Sequence, residues 1–191
     1  REIIKDYAEQ YYQHVKAFPR YISATHSICE DLEKRRILLE NLQDEENKDG
    51  DHPKLWKNFA KALGADEKEI EKVKLDWFTK DMIDNFFSQA RKSYAEGLAS
   101  LYTYERQIPE IAETKIQGLK KFYGVNSKEG LEFFEAHKSA DVIHRAECEK
   151  LLDGLSKEEQ VKAEKASLTT AKYLWNFLSG MITKHNLKEA A

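Results

Sequence analysis

The stretch EAHKSADVIH, Glu135 to His144, decides how the chain reads. It sets His137, Asp141 and His144 at i, i+4 and i+7 of a helical pattern, so two imidazoles and a carboxylate lie on one helix face. Charged groups at helical spacing ordinarily make a solvated face. Here all three groups also offer a lone pair to a metal. Along a helix axis His137 and His144 stand ~10.5 Å apart, and a metal–nitrogen bond spans only ~2.1 Å. The two rings therefore suit two ions ~3.5–4 Å apart, with Asp141 able to reach either. Asp141-x-x-His144 has, in addition, the i, i+3 spacing of the Glu-x-x-His element in di-iron helix bundles.

Composition agrees with a helical setting. The chain has 191 residues, 34% of them charged and 41% hydrophobic, but only 3 Pro and 8 Gly, which predicts one nearly all-helical domain without a sheet. The net charge of −3 is spread over interleaved acidic and basic residues. No basic face exists to neutralise a phosphate backbone, so nucleic acid is excluded as a partner. No run approaches the ~18 apolar residues of a membrane span, and no signal-peptide pattern opens the chain. Cys29 and Cys148 have neither CxxC nor zinc-finger spacing, which predicts inert thiols, a reducing compartment and a cytoplasmic protein. The chain opens at Arg1 inside a helical pattern and without a methionine, so a further N-terminal segment is expected.

Ile3, Ile4, Tyr7, Tyr11, Val15 and Phe18 recur at three- and four-residue steps, which predicts a helix over 2–17 closed by Pro19. A second helix is expected over 20–47 with Leu32, Leu38, Leu39 and Leu42 inward. KDGDHP, Lys48 to Pro53, carries turn chemistry, and Pro53 should hold His52 out of the α region. LWKNFAKALG predicts a helix capped by Gly64, and Asp66 to Val73 a solvated helical turn or loop. One long apolar-periodic helix follows from Asp76 to about Arg106. Pro109 to Tyr123, Ser127 to Leu152 and Lys157 to His185 complete some seven helices in one bundle.

Besides the opening helix, Glu45 ends its helix in QDEEN with His52 seven residues on, and Glu105 directly follows an apolar, tyrosine-containing stretch. A carboxylate there faces burial, which is costly unless a cation compensates it. Glu45, Glu105 and Asp141 would bring −3, and His52, His137 and His144 are neutral as ligands. One divalent ion leaves surplus negative charge, and two leave a single positive charge that a hydroxide or a substrate anion can meet. Mixed carboxylate and imidazole ligands suit iron or manganese more than a cysteine-rich structural zinc, and the implied chemistry is activation of dioxygen. His14, His26 and His185 read as surface or hydrogen-bonded structural residues. Tyr7, Tyr11, Tyr12 and Tyr21 read as packing.

Four segments, DYAEQYYQHVKAFPRYISATHS, LQDEENKDGDHPKLWKNFAKALG, LYTYERQIPEIAETKIQGLKKFYG and FFEAHKSADVIH, resemble the family of the Chlamydia protein associating with death domains (CADD-like proteins). More broadly they resemble the heme-oxygenase-like di-metal oxidases of the TenA and PQQC superfamily. The resemblance implies a heme-oxygenase-like helical bundle with Glu45, His52, Glu105, His137, Asp141 and His144 as ligands of two divalent ions, Fe/Fe or Fe/Mn. It also implies synthesis of p-aminobenzoate for folate in place of the chorismate route, with one of the protein's own tyrosines as ring source. Tyr104 and Lys115 match positions associated with that chemistry. The family's further N-terminal helix, which supplies the sacrificed tyrosine, is absent from this numbering, so the donor is unnamed.

Three other functions compete. A TenA-like thiaminase shares the fold but needs a cysteine nucleophile, and neither Cys29 nor Cys148 stands in an evident active-site segment. A PQQC-like cofactorless oxidase has no use for a full set of metal carboxylates. An interaction protein for host death domains is implied by the resemblance alone. A homodimer is a further expectation, because buried helix faces and dimer faces read alike.

Overall fold

The computed structural model describes residues 1–48 and 51–187, the side chains of 139–143 excepted. Among these residues nine α-helices and one π-helical turn carry the chain, and there is no strand. The helices are α1 (Glu2–Ser27), α2 (Leu32–Glu45), α3 (His52–Ala62), α4 (Glu67–Ile70), α5 (Trp77–Lys92), α6 (Tyr94–Glu105), α7 (Ile108–Gly118), α8 (Lys128–Asp153) and α9 (Lys157–Lys184). The π-helical turn, Leu119–Tyr123, prolongs α7 up to Gly124, whose φ of 68° ends it.

Four expectations from periodicity need correction. Pro19 lies inside α1 and does not close it. An interior proline costs about 3 kcal/mol, but continuing the helix past it buries Tyr21 and Ile22, each contributing about 1.5–3 kcal/mol, so burial offsets the cost. The chain breaks instead at residues 28–31, where the Asp31 carboxylate accepts hydrogen bonds from the backbone N–H groups of Glu33 and Lys34 and starts α2. This start sets the phase of α2. Its inward stripe is Leu38, Asn41, Leu42 and Glu45, at i, i+3, i+4 and i+7, whereas Leu32 and Leu39 point to solvent, 57% and 41% exposed. His52 is the first residue of α3, because the Asp51 side chain caps the helix by accepting from the Lys54 N–H and so draws His52 into the first turn despite Pro53.

The expected helix from Asp76 to Arg106 is two helices, which with the short α4 raises seven to nine. Ser93 interrupts it with φ −158° and ψ 162°. Its hydroxyl accepts from the Glu96 N–H and donates to the Glu96 carboxylate, a local pairing that competes with the helical ladder. The apolar spacing continues across the break, which is why periodicity does not reveal it. Elsewhere the expected boundaries hold to within a residue or two: Gly64 follows α3 with φ 94°, Ser127 caps α8 and Gly154 separates α8 from α9.

One contiguous apolar cluster draws side chains from α1 through α9, among them Tyr21, Trp56, Phe86, Leu98 and Phe177. Tyr11, Tyr12 and Tyr21 are buried in it, as the packing reading expects. Gly180 lets α9 lie against Phe78 of α5, where any Cβ would overlap the phenyl ring. α8 packs against α2, α3, α6 and α7. Those contacts bring the ends of α2 and α6 and the start of α3 to the middle of α8. Among the described residues no helix is long and apolar enough to cross a membrane.

Candidate metal centre

The polar stripe of α2 faces α8 and ends in Glu45, and the Asp51 cap turns His52 back toward it. Glu45, His52 and His137 are all buried, and their ligand atoms lie within 4.8 Å of one another. His52 Nδ1 is 2.8 Å from Glu45 Oε2, and the His52 and His137 ring centroids are 4.2 Å apart. Burial by itself would raise the Glu45 carboxyl. His52 beside it, with its hydrogen bond, and then His137 and His144 outweigh that and hold it below the usual carboxylate range. A carboxylate kept ionised in the core among imidazoles has the charge and the donor types that could hold a cation.

His137 is oriented by its own helix. Its Nδ1 is 2.7 Å from the Phe133 carbonyl oxygen, which only accepts, so Nδ1 carries the proton and Nε2 keeps its lone pair. His144, also buried, places Nε2 3.0 Å from Asp44 Oδ2. Glu105, the last residue of α6, is 1% exposed. Its Oε1 accepts from Asn41 Nδ2 at 2.7 Å, and Oε2 lies 3.6 Å from the Cys148 thiol. The Asp141 side chain lies outside the described residues. Of the other expected residues, Tyr104 is buried beside Glu105, and Lys115 reaches in from α7 to donate to the Tyr7 hydroxyl at 2.6 Å.

Three partners escaped the sequence reading although a signal existed for two. Asn41 precedes Glu45 by four residues, and Cys148 follows His144 by four, so both extend the stripes that carry the metal-type residues. Cys148, expected as an inert thiol, lies against the Glu105 carboxylate. Asp44 had no signal, since its neighbour across 100 residues is a tertiary matter. His14, expected as a surface or structural histidine, is a fully buried one.

The model of a family described as iron-containing redox enzymes matches residues 5–175. The chain belongs to this family. It is thus an oxidoreductase, and iron is the metal that its family uses. Among curated relatives, the 4-aminobenzoate synthase of Chlamydia trachomatis serovar D is 41% identical over 95% of this chain and 79% of its own length. A protein of the same name from Nitrosomonas europaea is 37% identical over 95% of this chain and 78% of its own. Solved structures agree on the heme-oxygenase-like fold. A TenA homologue from Pseudomonas syringae pv. tomato superposes with a TM-score of 0.81 at 17% identity, covering 95% of this chain and 79% of that one. A CADD-like protein from Nostoc punctiforme gives 0.80 at 16% identity, covering 96% and 82%. At such identities the likeness speaks for the fold alone, whereas the donor set of this iron-containing redox enzyme speaks for its chemistry.

Proposed function

We propose that the chain is a single-domain non-heme oxidase or oxygenase that holds two ions, Fe/Fe or Fe/Mn, and makes 4-aminobenzoate with one of its own tyrosines as ring source. The observation that carries this reading is the buried convergence of Glu45, His52 and His137; Glu105 and His144 are buried as well. Glu45, His52, Glu105, His137, Asp141 and His144 are the proposed ligands. The residues suit the group: nitrogen and oxygen donors, ionised where burial alone would neutralise them, and rings oriented by a carbonyl or a carboxylate. When bound, the ions supply the electrons for dioxygen that side chains lack.

The protein's own part is placement. The Phe133 carbonyl fixes the proton of His137 on Nδ1 and the Asp44 carboxylate that of His144 on Nε2, which leaves the other nitrogen of each ring with its lone pair. Asn41 and Cys148 hold the two oxygens of Glu105. Lys115 is kept by the faces of Tyr7, Tyr11, Trp56 and Phe134, its nitrogen 5.0 to 5.9 Å from their ring centroids. Tyr104 joins that group through a hydrogen bond with Tyr11. The names of the relatives support 4-aminobenzoate as product. Anaerobic titration with Fe(II) tests the centre: about two ions per chain are expected, and a single ion at saturation speaks against it. Exposure of the loaded protein, with the expected N-terminal segment in place, to dioxygen should then release 4-aminobenzoate whose ring carbons carry an isotope label supplied as tyrosine.

A further inference from the structure

Among the described residues, α9 has an outward face that no other helix covers. Ala163, Ala166, Thr170, Phe177 and Gly180 turn inward. On the opposite side Val161, Leu168 and Trp175 recur at seven-residue steps, and Ala171 and Leu178 follow the last two of them by three residues. Trp175 is 70% exposed, Leu168 59%, Val161 51% and Leu178 45%. Heptad spacing of this kind is how one helix packs along another, whereas exposed apolar residues on a solvated helix are scattered singly. Trp77, 67% exposed at the start of α5, widens the strip, since it shares a groove with Asn176 and Ser179 of α9.

We propose that this strip is a two-fold interface in which α9 packs antiparallel on α9 of a second copy of the chain. Area fits such a partner. The two tryptophans offer on the order of 150 Å² each, and Val161, Leu168 and Leu178 together on the order of 200 Å², so about 500 Å² of apolar surface per subunit is open to cover. A standard interface takes about 800 Å² from each partner and is about 65% apolar in homodimers, which is again about 500 Å². A two-fold contact also needs a surface that complements itself, and charge selects how. Lys172 flanks the strip, exposed, beside Ala171. A pairing centred at residue 173 would set Lys172 against its own symmetry mate, like charge on like. Centred between residues 176 and 177, the pairing sets Trp175 against Leu178 of the partner subunit and Ala171 against the partner's half-buried Ile182. Lys172 then meets the partner's Ser179, beside the partner's Trp77, whose ring face attracts a cation.

Sedimentation equilibrium of the full-length, iron-loaded protein at micromolar concentration should give a dimer. Trp175→Glu should make it monomeric with helical content and iron content unchanged, and Leu178→Lys should do the same should the first variant not fold. A wild-type monomer, or a dimer that a folded variant leaves intact, overturns the proposal. Orientation has its own readout. Cys29 and Cys148 are buried, so a nitroxide label goes to Glu164→Cys, near the end of the strip. In the antiparallel pairing the two labels lie roughly 38 Å apart along the axis, and side by side in a parallel one about 10 Å apart. A pulsed electron paramagnetic resonance distance near the larger value is expected, and the shorter one overturns the antiparallel contact.

Discussion

His14 provides a quantitative check on how dry the centre of this bundle is. It sits on α1 among Tyr11, Phe18, Tyr21, Phe86 and Tyr104, with ring centroids 4.8 to 6.0 Å away. Its Nδ1 is 3.5 Å from the Tyr21 hydroxyl, at the limit of a hydrogen bond, and its Nε2 has no polar partner among the described residues. Burial pushes its pKa from 6.5 down to about 3. Between those two values the unfolded chain binds a proton that the folded chain refuses, so stability falls as pH drops below 6.5 and the loss is complete near 3. At 1.36 kcal/mol per unit the loss is about 2 kcal/mol by pH ~5 and about 5 kcal/mol at the limit. Against a typical 5–15 kcal/mol of total stability, the smaller figure is already measurable. Urea unfolding followed by circular dichroism, at about pH 8 and about pH 5, for wild type and His14→Phe at equal metal content, isolates the residue as a double difference. The wild type should lose about 2 kcal/mol more than the variant. At the higher pH the variant should be at least as stable, because it removes a buried nitrogen without a partner, a cost of about 1–3 kcal/mol. Equal losses in the two proteins, or an imidazole signal of His14 titrating near its ordinary value, refute the reasoning.

Other outcomes follow from the contacts around the centre. Asn41→Ala and Cys148→Ala should each weaken iron binding by about 10–100-fold in competition titrations while leaving the helical content unchanged, since each frees one oxygen of Glu105. Lys115→Met should keep iron content and fold but lower 4-aminobenzoate formation on the order of 10²-fold or more, measured by chromatography of the released product. Gly180→Ala places a methyl group inside the Phe78 ring and should cost about 1–3 kcal/mol, a fall of several degrees in thermal unfolding, without affecting iron content.

Helix content, the ends of α3 and α8, and the face of α8 that carries His137 were legible because each depends on neighbours within about one or two helical turns. The Pro19 error and the missed break at Ser93 have one origin: apolar spacing records what a helix buries and carries no information on which local breaker wins. Leu32 and Leu39 were misassigned because the phase of α2 depends on where Asp31 caps it. Residue type and spacing thus sufficed to identify a helical chain with imidazoles and carboxylates in metal-binding pattern. Distances of 2.7 to 4.8 Å between groups scores of residues apart, the thiol on Glu105 and the cage around Lys115 are set by how α2, α3, α6, α7 and α8 pack. Helical periodicity is local, whereas burial, and with it the charge state of Glu45 and His14, exists only once those helices have excluded water together.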